Sequence, residues 1–372
     1  MKRFSSRREF FGTIAGGAAA LTLQPALGRA YGEAAPLDNA VHINYNESPY
    51  GPPEKAVKLI QQSAVALAGR YYADSSYEDL SKTLATFHGL SRDNIQVGAG
   101  STEILKICDD VFLRGGKRLV VAEPAYEAVI QYAVNSQADA VKVPLTADYR
   151  HDLMKMADAV NRDTGLVYIC NPNNPTGTIV NKAELQRFMD RVPPTVTVVV
   201  DEAYSHFVSN PDYESALYYV RDGRNIIVAR TFSKIFGMAG MRVGYAIARK
   251  DLIEKIRPFT VDYTITGIAA NAAATAIVDN PHVERIAKLN AANRQLVFDE
   301  MKRLKFETTA SEANFLMINI RKPVGPVIQE FAKRNVLVGR EFPAMPTFLR
   351  VTIGTEDEMK KFFVAFREII RA

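Results

Sequence analysis

Lys234 is the most reactive group this chain offers. It stands in Arg230-Thr231-Phe232-Ser233-Lys234-Ile235-Phe236-Gly237, an apolar and glycine-rich stretch, flanked by two hydroxyls and followed eight positions later by Arg242. A surface lysine normally sits among charged neighbours. A partly desolvated one has a lowered pKa, and its amine can add to a carbonyl. Thr231, Ser233 and Arg242 supply donors suited to a phosphate dianion. Gly98-Ala99-Gly100-Ser101-Thr102-Glu103 opens a helix, where backbone N–H groups bind phosphate, although a plain helix cap has the same pattern. Asp201 closes the β-branched run Val198-Val199-Val200. A carboxylate there either caps a helix or holds a protonated heterocyclic nitrogen. In Asn171-Pro172-Asn173-Asn174-Pro175-Thr176-Gly177 two Asn-Pro steps restrict the backbone more than a simple connection requires, which marks a ligand-holding loop.

Three of these segments follow short apolar runs that read as strands: Leu166 to Cys170, Val196 to Val200 and Asn225 to Ala229, with a further run from Arg118 to Ala122. Segments of helical spacing, such as Tyr77 to His88 and Lys182 to Val192, alternate with them. Alternation of this kind predicts an α/β fold with a mostly parallel sheet and helices on both faces, whose post-strand loops line the ligand crevice. Ahead of it, Asn44 to Pro53 is dense in turn formers and reads as an extended arm. Beyond about Asn290 the order becomes long helix, strand, helix, proline-broken stretch, strand and helix, the pattern of a smaller α/β domain. The expected division is 1–30 leader, 31–59 arm, 60–285 large domain and 286–372 small domain.

The 372 residues carry 46 basic and 41 acidic side chains, but residues 1–30 hold five of the former and one of the latter. The remaining 41 against 40 gives no basic field for nucleic acid. Arg7-Arg8, the mild apolar run from Gly12 to Leu23 and the small residues near Ala30 resemble a twin-arginine export signal. That places the mature protein in the periplasm or otherwise outside, free of the membrane after export, with the cytoplasm as the alternative. Cys108 and Cys170 match no metal-ligand spacing and read as small core residues, a single disulfide between them being open. No metal is expected.

Taken together, Asn-Pro-Asn-Asn-Pro-Thr-Gly, Asp-Glu-Ala-Tyr at 201–204 and Ser-Lys with the downstream Gly240-Met241-Arg242-Val243-Gly244-Tyr245 resemble the class I/II aminotransferases of the type I pyridoxal-phosphate fold, from about Asn44 to Ala372. The arm Asn46-Glu47-Ser48-Pro49-Tyr50-Gly51-Pro52, Arg70-Tyr71 and Leu349-Arg350-Val351-Thr352 resemble the histidinol-phosphate branch. The resemblance implies pyridoxal 5'-phosphate held covalently by Lys234, which also moves the proton, with Asp201 on the ring nitrogen. It implies Asn174 and Tyr204 on the ring 3-oxygen and Tyr126 on the ring face. The phosphate would rest on Gly100, Ser101, Thr102, Thr231, Ser233 and Arg242, with Tyr71 reaching it from the neighbouring subunit of a homodimer. Arg350 would bind the substrate's α-carboxylate, Tyr50 would border the side-chain pocket, and Arg340 would help hold the phosphate ester that a histidinol-phosphate substrate carries where ordinary amino acids carry the carboxylate.

The implied reaction moves an amino group between an amino acid, of histidinol-phosphate or aromatic type, and a 2-oxo acid. A decarboxylase, lyase or cyclase on the same scaffold is the alternative, since these residues serve carbanion stabilisation in general. Tyr72 stands where the family usually has proline.

Overall fold

The computed structural model describes residues 39–70 and 75–371. The expected leader and Tyr71 lie outside the described residues. The strands are β1 (Val41–Ile43), β2 (Ile95–Gly98), β3 (Arg118–Glu123), β4 (Ala140–Pro144), β5 (Thr164–Cys170) and β6 (Thr197–Asp201). They continue with β7 (Ile226–Thr231), β8 (Gly244–Ala248), β9 (Glu307–Thr308), β10 (Phe315–Asn319), β11 (Val336–Val338) and β12 (Phe348–Thr352). The helices are α1 (Glu54–Leu67), α2 (Ser76–His88), α3 (Gly100–Phe112), α4 (Glu127–Asn135), α5 (Leu153–Asp158) and α6 (Lys182–Arg191). They end with α7 (Leu217–Arg221), α8 (Lys250–Ile256), α9 (Gly267–Ile277), α10 (Asn280–Arg303), α11 (Val324–Ala332) and α12 (Glu356–Arg371).

Seven strands form the main sheet in the order β2-β8-β7-β6-β5-β3-β4. All pairs are parallel except the two made by β8, which is reversed between β2 and β7. Strands covered on both faces must be apolar throughout, and β6 and β7 are buried at every position. The parallel sheet expected from the alternation is therefore present. Its register aligns Cys170 with Asp201 and Asp201 with Ala229, so the loops after β5, β6 and β7 emerge side by side.

A second apolar core gathers Leu316, Ile318, Phe331, Leu349, Phe362 and Phe366, built on the antiparallel β12-β10-β9 sheet. The arm strand β1 joins it through a parallel pairing with β11. The boundary expected at residue 285 falls inside α10. That helix buries Ile286 in the main core and Val297 and Met301 in the second, so it is shared between them. Among the described residues no helix is long and apolar enough to cross a membrane, and no cluster of side chains could hold a metal ion.

Candidate active site

A cavity of about 370 Å³ opens where the post-strand loops meet the second core. Its lining includes Ser101, Thr102, Tyr126, Asn174, Asp201, Tyr204, Thr231, Ser233, Lys234, Arg242, Arg340 and Arg350, so twelve of the residues singled out in the sequence converge on one space. Tyr50 is not among them. Its hydroxyl accepts from Asn293 Nδ2 at 3.1 Å on α10, which ties the arm to that helix.

At one end, the first turn of α3 meets the loop after β7. Gly100 has φ +75°, and a Cβ built there would lie 2.4 Å from Arg242 Nη2, so only glycine lets the guanidinium rest on the helix start. Arg242 Nη1 donates to Ser233 Oγ at 3.2 Å, and the Thr231 and Ser233 hydroxyls are 3.0 Å apart. Hydroxyls, a guanidinium and helix N–H groups make this end a fit for a phosphate dianion.

At the other end Asp201 is buried. Its Oδ1 accepts from Ala203 N and its Oδ2 from the Tyr168 hydroxyl, both at 3.0 Å. Burial raises its pKa to about 6, against the lowering effect of those two donors. A cationic ring nitrogen is the partner such a carboxylate suits. Behind it, Glu202 forms a buried ion pair with Arg230 at 2.7 Å and also accepts from Ser215, tying the end of β6 to β7.

Lys234 lies between the two ends. Its Nζ donates to the Tyr45 carbonyl at 3.2 Å and sits 5.6 Å from the centre of the Tyr204 ring. Burial, then the nearby Arg350 charge, bring its pKa down to about 8, as the apolar sequence around it predicts.

The loop after β5 is tightly knit. Asn171 N donates to the Asp201 carbonyl at 2.9 Å, Asn173 Nδ2 to the Pro124 carbonyl at 3.1 Å, and Glu312 N to the Gly177 carbonyl at 2.8 Å. The peptides before Pro124, Pro172 and Pro175 are cis. This framework presents Asn174, whose Nδ2 lies 3.5 Å from the Tyr204 hydroxyl. That hydroxyl also receives Asn46 Nδ2 at 3.3 Å.

Arg350, on β12, is buried and donates from Nη2 to the Asn44 carbonyl at 2.7 Å. Its Nε is buried with no partner among the described residues, a donor free for a carboxylate. Burial lowers its pKa to about 10. Arg340 reaches the same cavity and pairs with Glu127, while Phe342 lies under both guanidiniums, 4.2 Å from Arg340 Cζ and 5.1 Å from Arg350 Cζ. Gly339 allows this proximity, because a Cβ there would come within 2.9 Å of the Arg350 Cβ and carbonyl. Arg340 pairs with Glu127 rather than with its chain neighbour Glu341, of which the backbone carbonyl is engaged.

Sequence reasoning missed Tyr168, Asn46, Glu127 and Phe342. Tyr168 had a signal, being a hydroxyl inside an otherwise apolar strand that must find a partner. The other three act through long-range packing that leaves no local pattern.

The profile of the family Aminotransferase class I and II matches residues 38–366. The histidinol-phosphate aminotransferase of Moorella thermoacetica is 37% identical over 336 residues, 90% of this chain and 86% of that protein. That of Caldicellulosiruptor saccharolyticus is 33% identical over 336 residues, 90% of this chain and 93% of that protein. Among solved structures, histidinol-phosphate aminotransferase from Sinorhizobium meliloti in complex with pyridoxal-5'-phosphate superposes with a TM-score of 0.83 at 25% identity, covering 100% of this chain and 99% of that one.

Proposed function

The chain belongs to the class I and II aminotransferases and is a pyridoxal-phosphate-dependent enzyme of the type I fold, and from that premise we propose histidinol phosphate or an aromatic amino acid as its amino donor. The observation that carries this reading is the pair of arginines, Arg340 and Arg350, sharing one cavity and one aromatic ring. Arg350 suits the carboxylate of an ordinary amino acid, or of the 2-oxo acid acceptor. A donor with a phosphate ester brings more oxygens and charge, which a second guanidinium matches.

When bound, the cofactor supplies an electron sink for the carbanion formed at the substrate's Cα. In the proposed assignment Lys234 holds the cofactor and carries the proton to and from Cα. Asp201, fixed by Tyr168 and Ala203, keeps a ring nitrogen protonated. Asn174 and Tyr204 aim donors at one oxygen, Tyr126 covers the ring face, and Ser101, Thr102, Thr231, Ser233 and Arg242 hold the dianion.

The decisive experiment is half-transamination, followed by absorbance, with histidinol phosphate and with phenylalanine. Arg340→Ala should weaken histidinol phosphate by about 1.5–3 kcal/mol, the range for hydrogen bonds to charged groups. Equal loss for both donors would refute this use of Arg340.

We also read the protein as an exported homodimer. Supporting the dimer, a groove of about 650 Å³ is lined by Leu67, Arg70, Tyr77, Val261 and Ile268. Light scattering on the purified protein tests it, a monomer being the contrary result. Export rests on the Arg7-Arg8 leader. Retention of a Lys-Lys variant inside the cell tests that, and unaltered export would discredit it.

A further inference from the structure

Glu127 opens α4 one residue after Tyr126 and lines the cavity of Lys234. Its carboxylate meets Arg340 Nη2 from a position 213 residues away in the chain. Arg340 otherwise donates from Nη1 to the Glu341 carbonyl at 2.8 Å and lies over the Phe342 ring. A carboxylate in a first helical turn is favoured by the helix dipole alone. That explains its presence but not its direction, which is toward Arg340, another residue lining the cavity.

The two side chains are 54% and 41% exposed, so as a strut the pair contributes little to the fold. Its electrostatic effect on the cavity is larger. Arg340 and Arg350 flank one ring, and two like charges this close repel unless one is balanced. When a donor brings a phosphate ester in place of the carboxylate, its additional oxygens and charge engage Arg340 as well as Arg350. When a donor brings only a carboxylate, which Arg350 holds, Arg340 keeps Glu127, its ion-pair partner among the described residues.

We propose that Glu127 is a specificity-determining residue, a stand-in anion that satisfies Arg340 when the donor's anion is a carboxylate held by Arg350 and must be displaced when it is a phosphate ester that engages both arginines. It thereby lets one site accept both donor types, and the cost falls on the phosphate ester, whose dianion must displace Glu127 and then tolerate it nearby. This rests on the reading of Arg340 as a phosphate-ester contact, and the phosphate titration tests it independently of which donor is used.

The test is calorimetric titration of the holoenzyme with inorganic phosphate, in wild type, Glu127→Gln, Arg340→Gln and the double variant. Glu127→Gln should bind phosphate about fivefold more tightly, the scale of a half-exposed ion pair. The gain should vanish when Arg340 is also replaced, the coupling that a double-mutant cycle isolates. In turnover, the kcat/KM ratio of histidinol phosphate to phenylalanine should rise by a similar factor in Glu127→Gln. No tightening, an equal tightening in the Arg340→Gln background, or no phosphate binding by either protein would overturn the proposal. Absence of histidinol-phosphate turnover in all variants, with the coupled phosphate effect present, would instead remove the donor assignment and leave the role of Glu127 standing.

Discussion

Arg350 Nη1 donates to Asn174 Oδ1 at 3.1 Å, and the same amide turns its Nδ2 toward the Tyr204 hydroxyl. The residue proposed to grip the substrate carboxylate is thus tied to one proposed to touch the cofactor ring, which fixes substrate relative to ring. Lysine carries a point charge that cannot reproduce this fork. Arg350→Lys should therefore lower kcat/KM for amino acids by roughly 10- to 100-fold, the equivalent of one or two hydrogen bonds to a charged group. Steady-state kinetics check this, together with the cofactor absorbance, which should change little. Loss of cofactor with substrate affinity unchanged would contradict the assignment.

The lowered pKa of Lys234 gives a pH dependence of definite sign. Only the neutral amine adds to a carbonyl, and with a pKa of about 8 it becomes neutral two or more units below an ordinary lysine. Cofactor-free protein mixed with pyridoxal phosphate should take it up faster as pH rises from about 7 to 9 and level off above that, as the neutral fraction saturates. Arg350 is the second cause of the lowering after burial, so the Arg350→Lys profile should stay near wild type while Arg350→Ala shifts it to higher pH. Stopped-flow absorbance at a series of pH values reads both. A rate still climbing past pH 10 in the wild type would mean an unperturbed amine.

Gly339→Ala should displace Arg350 without touching any ligand. The new methyl would fall 2.9 Å from the Arg350 Cβ and carbonyl and 3.1 Å from its Nε, so β11 and β12 must part. Overpacking of this kind costs about 1–3 kcal/mol. A lowered Tm with a raised KM for the amino acid is expected, and wild-type values for both would show that the strands absorb the methyl freely.

Much of this was legible in the sequence, for physical reasons. Strands buried on both faces have to be continuous apolar runs, so β3, β5, β6 and β7 announced themselves, and the chemistry follows from their ends. The Ser233-Lys234 neighbourhood was legible because desolvation needs apolar neighbours, and those are local. What was not legible is contact between distant segments. The Glu127–Arg340 pair and the β1–β11 pairing join parts of the chain that share no motif. The sharing of α10 between two cores hid the domain boundary, since one unbroken helix shows no change of period where its partner changes. Asn46 reads as one polar residue in a proline-rich arm, yet it is buried and bonded to Tyr204 and Thr352.

Tyr168 should act on Asp201 from behind. Tyr168→Phe removes one of two donors to the buried carboxylate and so raises its pKa further above about 6, because burial then goes less opposed. The carboxylate would be less available as a counter-charge to the ring nitrogen. A weakening of pyridoxal-phosphate binding by about 1.5–3 kcal/mol is expected from the lost charged hydrogen bond, with a larger loss in Asp201→Ala. Spectroscopic titration of cofactor-free protein measures both, and Tyr168→Phe binding as tightly as wild type would make the tyrosine a packing residue only.

Lys234 is the residue assigned to carry the cofactor, and its covalent link can be trapped directly. Borohydride reduction of the holoenzyme followed by trypsin and mass spectrometry should yield the peptide from Thr231 to Arg242, uncleaved at Lys234 and bearing the reduced pyridoxyl group. Recovery of that peptide unmodified and cut after Lys234, with the label on another lysine or on none, would show that Lys234 does not hold the cofactor.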